Sequence, residues 1–98
     1  MHVGASRIEL RIRDIRSLKE KRKVVKSIIA DIGRAYPVAI AEVDHQDLWQ
    51  RADLGVAVVS GSPGHVDRML TSVEIDIERR TEIEVLGTTR SHLEEEER

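Results

Sequence analysis

Apolar and polar positions first alternate with a period of two. Ile8, Leu10 and Ile12 share one parity while Arg7, Glu9 and Arg11 share the other, so the run from Val3 to Ile12 predicts a half-buried strand. After Arg13-Asp14-Ile15-Arg16 the period lengthens. Leu18, Val25, Ile28, Ile29 and Ile32 recur at helical spacing and form one apolar stripe. Ser17 followed by Glu20 is a capping-box pattern, in which a hydroxyl and a carboxylate satisfy N–H groups that the first helical turn leaves unbonded. Pro37 disfavours a helical Tyr36, which places the end of this helix between Gly33 and Ala35.

Val38 to Val43 is short and apolar and predicts a second strand, running into the polar segment from Asp44 to Asp53. Leu54 to Val59 is apolar at both parities, as a central strand covered on both faces would be. Ser62-Pro63 reads as an N-cap and first helical position, and Val66, Leu70, Val73 and Ile77, with Met69 beside them, carry the helical period. Thr81 to Leu86 alternates again, Ile83 and Val85 inward and Glu82 and Glu84 outward, and Gly87 is expected to end this edge strand. Residues 88–98 include four successive glutamates, Glu94 to Glu97, and are expected to form a disordered acidic tail outside a domain of residues 1–87.

The predicted order is β-α-β-β-α-β. It specifies an α+β, ferredoxin-like fold, with two helices on one face of a four-stranded antiparallel sheet. If Leu54, Val56 and Val58 face the helices, Ala57 and Val59 lie on the uncovered face. A bare apolar sheet face invites a second copy, so a homodimer is expected.

Composition narrows the chemistry. The 98 residues make one domain with a modest core, and no apolar run approaches the ~18 residues of a membrane span. There is no cysteine, which excludes disulfides, a thiol nucleophile and cysteine-built zinc sites. No charged-then-apolar leader is visible, and the expected location is the cytoplasm. The formal net charge of −2 hides a division. Residues 1–34 hold ten Lys/Arg against four Asp/Glu, whereas residues 35–98 hold six against fourteen. Such polarity suits an anionic partner on one side, or pairing between the two halves.

Two clusters carry candidate function. Lys19, Arg22, Lys23 and Lys26 fall on one helical stripe roughly opposite the apolar face, and Arg16 extends it beyond the cap. Cations so aligned can neutralise successive phosphates, and the favoured reading is a non-enzymatic accessory factor that binds structured RNA or the ribosome. That reading assigns no catalytic residue, metal or cofactor. The second cluster is Glu42, Asp44, His45, Asp47, Trp49 and Arg51. There Asp44, His45 and Asp47 could bind a metal or small ligand or share a proton, as in an enzyme; the plainer reading has the carboxylates holding Arg51 and Trp49 capping the core or meeting a partner. A third reading is a dimeric protein-interaction module. Gly61-Ser62-Pro63-Gly64 lacks the spacing and lysine of a phosphate loop, no nucleophile elbow is present, and the strands lack the aromatics of a base-stacking platform. Residues 13–17 lack the glycine-rich loop of an acylphosphatase.

Three segments carry a resemblance. Arg7-Ile8-Glu9-Leu10-Arg11-Ile12, Ser17-Leu18-Lys19-Glu20-Lys21-Arg22 and the long run from Ala41 to Ala52 resemble the YlxP-like family of small bacterial domains of unknown function. The resemblance covers residues 2 to about 86. It implies a ferredoxin-like fold. Genes of the family commonly adjoin those for translation initiation factor two and ribosome-binding factor A, which implies work on the ribosome or RNA by association. It assigns no catalytic residue.

Overall fold

The computed structural model describes residues 1–95. Six elements follow in the expected order: β1 (His2–Ile12), α1 (Leu18–Ala35), β2 (Ala39–Asp44), β3 (Arg51–Ser60), α2 (Pro63–Glu78) and β4 (Ile83–Glu94). The strands form one antiparallel sheet in the order β2-β3-β1-β4, and both helices lie on one of its faces. This is the ferredoxin-like arrangement. Among the described residues no helix is long and apolar enough to cross a membrane.

The local signals act as expected. Ser17 Oγ accepts the Glu20 N–H at 3.1 Å, and the Glu20 carboxylate reaches back to the Arg16 N–H at 2.5 Å, closing the capping box one residue further out than its usual partner. Tyr36 is extended, as Pro37 requires, and α1 stops at Ala35. Ser62 caps α2 by accepting from His65, with Pro63 at the first helical position.

A single core joins Ile8, Leu10 and Ile12 of β1 to Leu54, Val56 and Val58 of β3, with Val25, Ile28 and Ile32 of α1 and Val66, Leu70, Val73 and Ile77 of α2 above them. Helix α2 sits very close to β1: a Cβ at Gly4 would stand 2.2 Å from Val66 Cγ1. Only glycine permits that approach.

Two expectations are corrected. Strand β3 is central but not covered on both faces, for the far side has no helix and Val59 is 65% exposed there. Nor does β4 end at Gly87. It continues to Glu94, pairing with β1 from Ile12 back to His2, so the boundary expected after residue 87 falls inside a strand. The second edge of the long β1 would otherwise be unpaired, and Thr88 to Glu94 satisfies its backbone groups although this stretch lacks an apolar alternation. Arg90 fastens it to α2 through Glu74 at 2.8 Å and Thr71 at 2.8 Å. Of the glutamate run, Glu94 closes the strand and Glu95 donates its N–H to the Met1 carbonyl at 3.0 Å. Residues 96–98 lie outside the described residues.

The sheet is irregular at two places. Leu86 is an extra residue between the pairs Glu9–Gly87 and Leu10–Val85, and Val43 an extra residue between Glu42–Leu54 and Asp44–Asp53. A bulge of this kind bends a strand and re-aims the side chains beyond it.

Candidate functional site

The basic stripe of α1 is open to solvent. Arg16, Lys19, Arg22, Lys23 and Lys26 are all exposed, and among the described residues none of their side chains is in an ion pair. Arg16 engages Glu20 only through its backbone N–H. Arg22 and Lys26 also line a groove of about 330 Å³ with Val25, Ile29, Glu42 and Gln46. Lys19 lies in the first turn, where a cation meets the positive end of the helix dipole, with Glu20 beside it.

Between these cations stands a lysine of another kind. Lys21 is fully buried, with 0% exposure. Its Nζ lies 2.6 Å from Glu42 Oε2, an ion pair too oblique to count as a hydrogen bond, and donates to the His45 carbonyl at 2.7 Å. The Gln46 carbonyl stands further off, at 3.5 Å. A buried ammonium is tolerable only when compensated in this way. Lys21 thereby fastens the turn between β2 and β3 to the underside of α1. Sequence reasoning missed it, although one signal was present: Lys21, Val25, Ile28 and Ile32 follow one another along the buried stripe.

The same turn is held from the open face of the sheet. Arg7 of β1 donates through Nε to Asp53 Oδ2 at 3.0 Å, and its Nη2 lies 3.0 Å from that oxygen and 3.1 Å from Asp44 Oδ2. The Val43 bulge sets Asp44 opposite Asp53, which brings the two carboxylates to one guanidinium. Asp53 is only 3% exposed although it faces the uncovered side. Asp44 Oδ1 accepts the His45 N–H at 2.7 Å. That backbone bond, with the nearby Arg7 guanidinium, holds the Asp44 carboxyl below its usual range. His45 has φ of 64°, a left-handed conformation uncommon outside glycine, and its Nε2 stands 3.7 Å from Asp53 Oδ1.

Asp44, His45 and Asp53 therefore converge, with potential donor atoms within 4.8 Å of one another. Asp47, grouped with them by sequence spacing, is exposed in the turn and is not a member. The carboxylates do not hold Arg51 either, since Arg7 takes them. Among the described residues Arg51 Nε is buried without a hydrogen-bond partner, and the residue lines a separate groove with Arg11, Ile12, Asp14, Ile15 and Gln50. Trp49 does not cap the core: it is 38% exposed and lies outside the core cluster. The strand pairing that brings Asp53 and Arg7 in is non-local, and no spacing rule along the chain exposes it.

Above this cluster the open face carries a trough of about 530 Å³, floored by Ala5, Ala39, Ala41, Gly55 and Ala57. Val59 and Leu93, each 65% exposed, project at the end of the sheet away from Arg7.

Comparison with known proteins places this geometry in a lineage. Residues 3–90 match the family described as "Protein of unknown function (DUF503)". The chain belongs to this family. It is 39% identical over 82 residues to the "Uncharacterized protein YlxP" of Bacillus subtilis (strain 168), an alignment covering 84% of this chain and 89% of that protein. The expected kinship with YlxP-like bacterial domains of unknown function therefore holds. Among solved structures, a de novo designed protein with ferredoxin fold superposes with a TM-score of 0.53 at 12% identity, covering 95% of this chain and 84% of the design. That likeness concerns the fold alone.

Proposed function

We propose that this domain is a non-catalytic accessory factor that binds structured RNA through the outer face of α1. The observation that carries this reading is the solvent-facing row of Arg16, Lys19, Arg22, Lys23 and Lys26, left without intramolecular counter-charges among the described residues. A row of unneutralised cations attracts a polyanion and gains free energy by releasing its condensed counterions. The strands offer no aromatic platform, so recognition rests on backbone charge and shape, as suits a folded RNA. The gene neighbourhood implied by the family resemblance supports ribosomal RNA as the class of target.

Four phosphate contacts give a slope of log affinity against log salt of about −3 to −4. Fluorescence anisotropy with a labelled ribosomal RNA fragment, from roughly 50 to 300 mM salt, measures it. Replacing Lys19, Arg22, Lys23 and Lys26 together by Gln is expected to flatten the slope and weaken binding at least tenfold. Absence of binding at low salt, or binding indifferent to the four substitutions, overturns the proposal.

A second reading concerns assembly. The trough of small residues and the projecting Val59 and Leu93 share one face, which is the requirement for a two-fold contact in which each copy seats its knobs in the other's hollow. We infer a homodimer through this face. Sedimentation equilibrium is expected to show a dimer that Ala57→Arg dissociates; a monomer at high micromolar concentration discards it.

A further inference from the structure

We propose that Asp44, His45 and Asp53 bind a divalent transition-metal ion of the zinc class, with Arg7 orienting the two carboxylates. The starting point is Asp53 Oδ1. This oxygen is enclosed and has no hydrogen-bond partner among the described residues, although its side chain is only 4% exposed. An unpaired carboxylate oxygen in that position is unfavourable, and native structures rarely leave one unexplained. Its polar neighbour, His45 Nε2, stands 3.7 Å away, too far for a hydrogen bond. It is a fitting separation for two ligands of one ion: donors at about 2.0–2.2 Å that subtend a tetrahedral or slightly wider angle lie roughly 3.3–3.7 Å apart.

Asp44 supplies the third donor. The three sets of atoms lie within 4.8 Å of one another, and donors around one tetrahedral ion stand roughly 3.3–3.7 Å apart, so the widest pair closes by about 1 Å at most. The exposed Asp44 side chain has room to make that adjustment. Arg7 occupies Oδ2 of both carboxylates and leaves Oδ1 of Asp53 directed at the imidazole. Carboxylate ligands commonly have such outer partners, which fix their orientation. Lys21 fixes the backbone that carries the imidazole by donating to the His45 carbonyl. Two carboxylates and one guanidinium sum to −1, and a dication suits that charge. One imidazole nitrogen with two carboxylate oxygens is a borderline donor set, matched to zinc or cobalt. Three protein donors leave a fourth position open to water or a small ligand.

The test uses the whole chain with ZnCl2 in isothermal titration and CoCl2 in visible absorption. One ion per chain is expected, with a cobalt spectrum of four- or five-coordinate intensity. His45→Gly removes the imidazole while tolerating the left-handed backbone, and is expected to weaken uptake at least about tenfold. Asp53→Asn is expected to do the same. If that buried substitution unfolds the chain, His45→Gly decides alone, because its side chain lies at the turn. The other close imidazole pair, His2 and His92 at 3.1 Å, is removed by His92→Gln, which is expected to leave binding unchanged. No uptake, uptake unaltered by His45→Gly, or uptake abolished by His92→Gln overturns the site.

Discussion

Helix α2 meets the sheet with its acids already matched. Glu74 is held by Arg90 and Ser6, while Asp76 receives Arg80 and the Tyr36 hydroxyl. Helix α1 differs. Its inward side carries the one fully buried lysine among the described residues, and its outward side carries cations that form no ion pair among those residues. Both helices bury an aliphatic stripe of similar kind, so the hydrophobic core does not distinguish them. The difference lies in how charge is settled. On α2 the acids Glu74 and Asp76 are settled within the molecule, whereas on α1 the outward cations are in no ion pair among the described residues, and this contrast is what supports α1 as the proposed partner surface.

The sharpest way to break this contrast is Lys21→Ala. It strips Glu42 and two backbone carbonyls of their cation, and a loss of about 3 kcal/mol in folding free energy is expected, read from urea denaturation. Lys21→Met, which keeps the aliphatic stem, is expected to lose less. Next in size is Gly4→Ala beneath α2. The added methyl group runs into Val66 and forces the helix outward, costing about 1–3 kcal/mol by the same measurement.

A smaller effect tests the pairing on α2. The Arg90 hydrogen bonds, aided by Ser6, hold the Glu74 carboxyl below its ordinary value of 4.5. A depressed carboxylate contributes stability that is complete above that ordinary value and is lost as pH falls through the lowered one. Glu74→Gln is therefore expected to be less stable than the parent at pH 7, with the gap closing as titration proceeds below about pH 4. A gap constant with pH refutes the pairing. The smallest effect falls on α1: Gln at Lys19, Arg22, Lys23 and Lys26 together is expected to change stability by no more than about 0.5 kcal/mol, since solvated side chains away from partners contribute little.

What could be read along the chain was local. Period two in β1, the capping residues of both helices and the Pro37 stop each act over a few residues, and each led to the correct element. The basic stripe was legible for the same reason, because helical spacing alone places those cations together. The rest depends on pairing between distant strands. Arg7 reaches Asp53 only because β1 lies beside β3, and Asp53 displaces Asp47 from the expected cluster by that same adjacency. The continuation of β4 was hidden because Thr88 to Glu94 has its reason for being extended in β1 and not in its own apolar content. Lys21 shows the opposite failure. Its place on the inward stripe was visible, but its charge argued for water until Glu42 and the His45 carbonyl were seen to receive it.

Val43 has a consequence out of proportion to its size. It is one residue more than β3 has places to pair, and that surplus decides which way Asp44, the last residue of the strand, is turned. Were Val43 itself to pair with Asp53 in a regular ladder, strict alternation would turn Asp44 toward the helices and separate it from Arg7 and Asp53, with all the participants chemically intact. The junction is thus written partly in arithmetic: the surplus residue lets two neighbouring positions of one strand, Val43 and Asp44, share the open face.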